Sequence, residues 1–177
     1  WTVARIDKEF GEKAREAASW YGGYYDYDAG ESRWCTSPPN ASYTMGYLKD
    51  GPLYVILAND DQGKVGKRTG LPQKRYQFHF PSNQFMDKDD RQQDLVQLLN
   101  GPMKELKDYF KPEFAKGLTT GGDKLVIDSF NHGAIGKFIG LYGLDELFTT
   151  LPDTLKQLQI QNRDKNDVIN SQHNLQG

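Results

Sequence analysis

Thiol chemistry is almost missing from this chain: Cys35 is its one cysteine. A lone cysteine excludes an internal disulfide, so the fold must rest on a packed core, and an oxidising compartment is not implied. Histidine is nearly as scarce, with three residues dispersed along the sequence. Conventional zinc spacing is therefore absent, and neither a metal nor a cofactor is expected. There is no excess of either charge, with 22 basic against 24 acidic residues. That balance gives no general electrostatic reason to expect nucleic acid or a membrane surface as partner. No apolar run approaches the ~20 residues that cross a bilayer, and no basic-then-apolar leader precedes the first helix. The first residue is Trp1 rather than Met, which reads as a processed product or a piece of a longer polypeptide.

What is present is 177 residues, 26% charged and 12% aromatic. That is enough to bury a core, and too aromatic for wholesale disorder. The expected fold is α+β: an antiparallel sheet with helices packed mainly on one face. One domain is expected over residues 1–160, followed by a polar C-terminal tail over 161–177 that is rich in Asn and Gln.

Phe10, Ala14, Ala17 and Tyr21 recur at helical spacing. They predict a helix from about Asp7 with Lys8, Glu12, Lys13, Arg15 and Glu16 on the wet side, ended by Gly22-Gly23. Tyr24, Tyr25 and Tyr27 alternate with Asp26 and Asp28 as an amphipathic loop or short strand. Residues 33–36, Arg-Trp-Cys-Thr, read as a short strand, and 42–48 as one or two helical turns. Residues 53–58 form an unbroken apolar run, expected to be a central strand buried on both faces. Its partner is 75–80, where Tyr76, Phe78 and Phe80 point inward and Arg75, Gln77 and His79 make the polar face. Asp87, Asp89 and Asp90 are expected to open the helix that carries Leu95 and Leu99.

Farther on, a helix from Met103 is expected to stop at Pro112, a strand to fall at 125–127, and a helix to run over 135–148. Residues 147–162 resemble one bacterial leucine-rich repeat unit through Leu151, Pro152, Leu155, Leu158, Ile160 and Asn162, the alternative being a chance helix-and-strand end. A solenoid needs several stacked copies, and one is visible.

Three groups of residues carry candidate chemistry. Cys35 with His79 or His132 would form a thiolate–imidazolium couple; the alternative is that Cys35, beside Trp34, is a small buried hydrophobe. Asn131-His132-Gly133 reads as a turn that presents its histidine. The long connection 59–75 holds Lys64, Lys67, Arg68, Lys74 and Arg75 among three glycines. It would bind a phosphate or nucleic acid with Tyr24, Tyr25 and Tyr27 as stacking faces, or else be a solvated loop. It lacks both the P-loop order and the dinucleotide fingerprint. The third group is Asp87, Asp89 and Asp90, whose carboxylates suit a hard cation or helix capping, and the full calcium-loop pattern is missing.

The segments Arg33-Trp34-Cys35-Thr36, Gly51-Pro52-Leu53-Tyr54-Val55-Ile56, Lys74-Arg75-Tyr76-Gln77-Phe78-His79-Phe80 and Gln84-Phe85-Met86-Asp87 together resemble a little-characterised domain of large tailed-phage and prophage proteins. The resemblance spans about residues 1–110. It implies a structural or protein-interaction domain with protein partners in a larger assembly, in a virion or in the cytoplasm of a bacterial host. It brings no activity to any single residue. The alternatives are a cysteine–histidine enzyme using Cys35 and His79, and nucleic-acid or phosphate binding through loop 59–75.

Overall fold

The computed structural model describes residues 1–26, 31–59, 64–118 and 129–150. The chain divides into two compact units, Trp1–Leu106 and Lys107–Gly177, where the sequence reading runs a single domain to residue 160. The strand expected at 125–127, the repeat-like stretch beyond residue 150 and the tail at 161–177 lie outside the described residues.

The first unit is an antiparallel four-stranded sheet with helices, an α+β fold. Its strands are β1 (Thr2–Ile6), β2 (Leu53–Leu57), β3 (Arg75–His79) and β4 (Gln84–Asp87), in spatial order β1-β2-β3-β4. The apolar run LYVIL of β2 is buried at every position because β2 is interior, paired with β1 on one side and β3 on the other. The edge strands β1 and β4 carry no comparable run, and sequence periodicity does not mark them. Conversely, residues 33–36 are no strand. Trp34 lies in a passage with no regular secondary structure, and a turn follows at Cys35–Thr36.

One sheet face carries Ile6, Leu53, Val55 and Leu57. Helix α1 (Glu12–Tyr21) packs on it through Ala14 and Ala18, and α2 (Tyr43–Asp50) through Leu48. Alanines let α1 approach the sheet closely, and Ala14, Ala18 and Val55 are fully buried. Phe10, expected on this stripe, is instead 50% exposed in a 3₁₀ turn that precedes α1. The opposite sheet face is aromatic: Phe78 meets Phe85 edge-on at 5.5 Å between ring centres, and Phe80 meets Phe85 at 5.2 Å.

Because β3 has a covered surface on both sides, its expected polar face is not in solvent. Arg75, Gln77 and His79 are buried on the face that Leu53, Val55 and Leu57 share. Past β4, Asp87 forms a turn by accepting the amides of Asp89 and Arg91, both at 2.9 Å. The cap of α3 (Leu95–Asn100) is Asp94, which accepts the Gln97 amide. Asp87, Asp89 and Asp90 therefore shape a loop ahead of that helix and do not start it.

In the second unit, α4 (Lys107–Gly117) continues through Pro112, which was expected to stop it. Proline forfeits the bond to the Asp108 carbonyl, but Phe110 and Phe114, one turn apart and buried, hold the helix. The helix expected over 135–148 is two helices, α5 (Ser129–Tyr142) and α6 (Leu144–Thr150), split where Gly143 takes a left-handed φ of 90°. Asn131-His132-Gly133 is helical backbone within α5, not a turn. Tyr142 stacks near Phe138 and Phe114, donates to the Lys107 carbonyl at 2.5 Å, and is pushed up in pKa by burial and then by the Asp108 charge. Lys111 and Glu146 form an ion pair between α4 and α6.

Candidate functional site: an aromatic groove and a small thiol cavity

Cys35 and His79 do line one cavity, together with Trp34, Tyr47, Gln77 and Asp90. Cys35 is exposed, so the reading of it as a core residue does not hold. Its thiol points to the Tyr47 hydroxyl at 3.9 Å. Both ring nitrogens of His79 are engaged in the framework. Nε2 lies 2.8 Å from the Tyr47 carbonyl and Nδ1 lies 2.7 Å from the Ser82 hydroxyl. A carbonyl only accepts, so Nε2 carries its proton and the imidazole ties β3 to α2.

Tyr47 supplies no base either. Burial raises its hydroxyl pKa, and although a Gln84 hydrogen bond opposes this, the neighbouring Cys35 adds to the rise. The cavity measures about 20 Å3, room for about one water molecule. Small-molecule sites are larger by more than tenfold, at roughly 300–1,000 Å3.

The described part of the basic connection, residues 64–75, is not an open cradle. Residues 64–73 fold into a small hairpin, closed by the Val65–Pro72 bridge and by the bonds Gly66 N–H to Leu71 and Gln73 N–H to Lys64. Its anion-binding amides are already filled from within the chain. Asp26, 1% exposed, accepts the backbone N–H groups of Arg68 at 2.8 Å and Thr69 at 3.1 Å, and the Thr69 hydroxyl at 2.6 Å. Burial alone would raise the Asp26 pKa. The Thr69 hydroxyl, the two amides and the charge of Arg75 outweigh it and hold the carboxyl below its ordinary value.

Gly66 permits this closure, since a Cβ there would overlap the Asp26 carboxylate. Arg75, expected on the binding loop, is instead a buried β3 residue that donates to the Tyr21 carbonyl at 2.9 Å. Lys64, Lys67 and Arg68 keep exposed side chains. Tyr27 lies outside the described residues.

Asp26 also fixes the residue before it. Tyr25 forms one wall of an open groove of about 520 Å3, with Lys13, Glu16, Ala17, Trp20 and Tyr21. The helix α1 supplies five of the six at spacings of three and four, so they share one flank. Trp20 is 41% exposed and leans on Tyr25 with ring centres 6.2 Å apart and planes tilted by 47°. Tyr24 meets Tyr25 edge-on at 5.4 Å.

Among the described residues, Lys13 and Glu16 form no ion pair although one turn separates them, and Trp20 Nε1 and the Tyr21 and Tyr25 hydroxyls donate to no described group. Sequence reading singles out Tyr25 but misses Lys13, Glu16, Trp20 and Asp26. No family model matches this chain, and no curated protein or solved structure is significantly similar to it.

Proposed function

We propose that the first unit is a protein-interaction module that takes an extended polypeptide in the Trp20–Tyr25 groove. The observation that carries this is the contrast among the three tryptophans. Trp1 and Trp34 donate their indole N–H groups inward, to the carbonyls of Pro102 at 2.8 Å and Asp87 at 2.7 Å. Trp20 instead is 41% exposed, its ring lies beside Tyr25, and its indole N–H donates to no described group. Exposed aromatics with convergent polar tips are the usual anchors of recognition surfaces. A polypeptide supplies both partners they lack: carbonyl acceptors and flat apolar side chains.

The other readings have less support. A cysteine–histidine enzyme needs a base at Cys35, and His79 is committed to Tyr47 and Ser82. Phosphate binding needs free loop amides, and Asp26 fills those of Arg68 and Thr69. Among the described residues the groove holds one cation and one anion, a poor match for a phosphate backbone. A phage-type assembly as the setting is supported by the sequence resemblance alone.

Selection of a random peptide library on the full chain tests the proposal. Peptides that bind wild type and are lost on Trp20→Ala and Tyr25→Ala are the expected outcome. A library that yields no such groove-dependent peptide contradicts it.

A further inference from the structure

We infer that the hairpin 64–73 between β2 and β3 regulates the groove: docked on Asp26 it holds the Tyr25 wall in its binding position, and released it lets that wall go. The inference rests on the recognition reading above and adds a control element outside the groove lining.

Tyr25 has little local support. It follows α1 on a turn in which Gly23 takes a left-handed φ of 75°. The bonds within that turn run from the N–H groups of Gly23, Tyr24 and Asp26 to the carbonyls of Trp20, Ser19 and Gly23. Among the described residues no hydrogen bond reaches the Tyr25 backbone, and its ring meets Trp20 and Tyr24, both close in sequence. The long-range tie comes from the next residue. Asp26 is buried and accepts the amides of Arg68 and Thr69 and the Thr69 hydroxyl.

The hairpin is held no more firmly. Of residues 64–73 only Gly66 is buried, and the group that crowds it is the Asp26 carboxylate. Leu71 rests half-buried on the core of β2 and α1, and Val65 is 49% exposed. A segment with so few buried apolar contacts opens locally at a fraction of the global unfolding cost. Docked and released are therefore two states of one local equilibrium, and Asp26 belongs to the hairpin and to the groove wall alike. A polypeptide that needs Tyr25 in place binds the docked state more tightly, and by reciprocity it strengthens docking by the same factor.

Hydrogen exchange of the full chain, read at the Arg68 and Thr69 amides by NMR with and without a saturating library peptide, tests this. The two amides are expected to exchange together, and faster than the amides paired between β2 and β3. Peptide is expected to slow them about tenfold or more, within the usual range of coupling between sites. Gly66→Ala, which pushes a methyl group into the Asp26 carboxylate from the hairpin side, is expected to weaken the peptide about tenfold although Gly66 does not line the groove. Should that variant not fold, the exchange rates of the wild type decide alone. Peptide that binds without slowing Arg68 and Thr69, or that binds folded Gly66→Ala as well as wild type, overturns the inference and leaves the recognition module standing. A library that yields no groove-dependent peptide overturns both.

Discussion

Asp26 and Thr69 stand 43 residues apart in sequence and are joined twice, through the Thr69 amide at 3.1 Å and its hydroxyl at 2.6 Å. This pair, with the Arg68 amide, clamps the β2–β3 connection to the segment that follows α1. It converts a basic, glycine-rich loop into a brace for Tyr25. The clamp, the cavity and the groove each lead to a measurable outcome.

Replacing Asp26 with alanine strands two part-buried amides and a hydroxyl. The expected loss is about 2–4 kcal/mol, as for the removal of a charged acceptor from a buried hydrogen-bonded cluster. Urea denaturation of the first unit's signal, followed through Trp34 fluorescence, measures it. Peptide affinity should fall with it, because Tyr25 loses its support.

Acid should weaken the same clamp. The folded-state pKa of Asp26 is depressed below its ordinary 3.8, so its stabilisation is fully present above the unfolded value. It is lost as pH falls through the lower folded value. The gap in melting temperature between wild type and Asp26→Asn is therefore expected to be constant above about pH 5 and to shrink below about pH 4. A gap that widens in acid contradicts the assignment.

Asp90 works in the opposite direction. Burial, then the neighbouring Asp87 charge, raises its carboxyl pKa, so its ionised form is disfavoured in the folded state. Its backbone φ is 63°, a conformation that asparagine tolerates as well as aspartate does. Asp90→Asn should leave the turn intact and raise the melting temperature at neutral pH. The gain should vanish once acid protonates Asp90 in both states.

Gly66 and Asp26 should be coupled. Gly66→Ala forces a methyl group into the Asp26 carboxylate and is expected to cost about 1–3 kcal/mol in wild type. In an Asp26→Ala background that group is gone, and most of the penalty should disappear. A double-mutant cycle read by urea denaturation gives the interaction energy directly.

Cys35 and His79 should separate as a surface residue and a structural one. Cys35→Ser is expected to change stability by less than about 0.5 kcal/mol, since the thiol is exposed. His79→Ala removes the tie to the Tyr47 carbonyl and the Ser82 hydroxyl and is expected to cost about 2–4 kcal/mol. Comparable effects at the two positions would count against this division.

The central hairpin was legible in the sequence because its signals are local. LYVIL is apolar at every position, and 75–80 alternates. The edge strands β1 and β4 were hidden because their pairing, not their composition, makes them strands. The burial of Arg75, Gln77 and His79 was hidden too, since alternation distinguishes two faces but cannot say that both are covered. Asp26 was read as one acid in an alternating stretch; its partners lie in residues 68 and 69, and no local pattern links them. Trp20 had a legible signal that the stripe Phe10, Ala14, Ala17, Tyr21 obscured. It is a large aromatic that follows Lys13 and Glu16 at helical spacing, on the flank of α1 where polar residues gather.

The three tryptophans offer the most direct test of the groove as the binding site. In 15N-labelled protein each indole N–H gives its own signal, and point substitutions assign them. On titration with a peptide selected by the library, the Trp20 signal is expected to shift and saturate. Those of Trp1 and Trp34, bonded to Pro102 and Asp87, are expected to hold their positions. A Trp20 signal that stays fixed while peptide binds, or a shift confined to Trp34 beside the Cys35 cavity, would contradict the account.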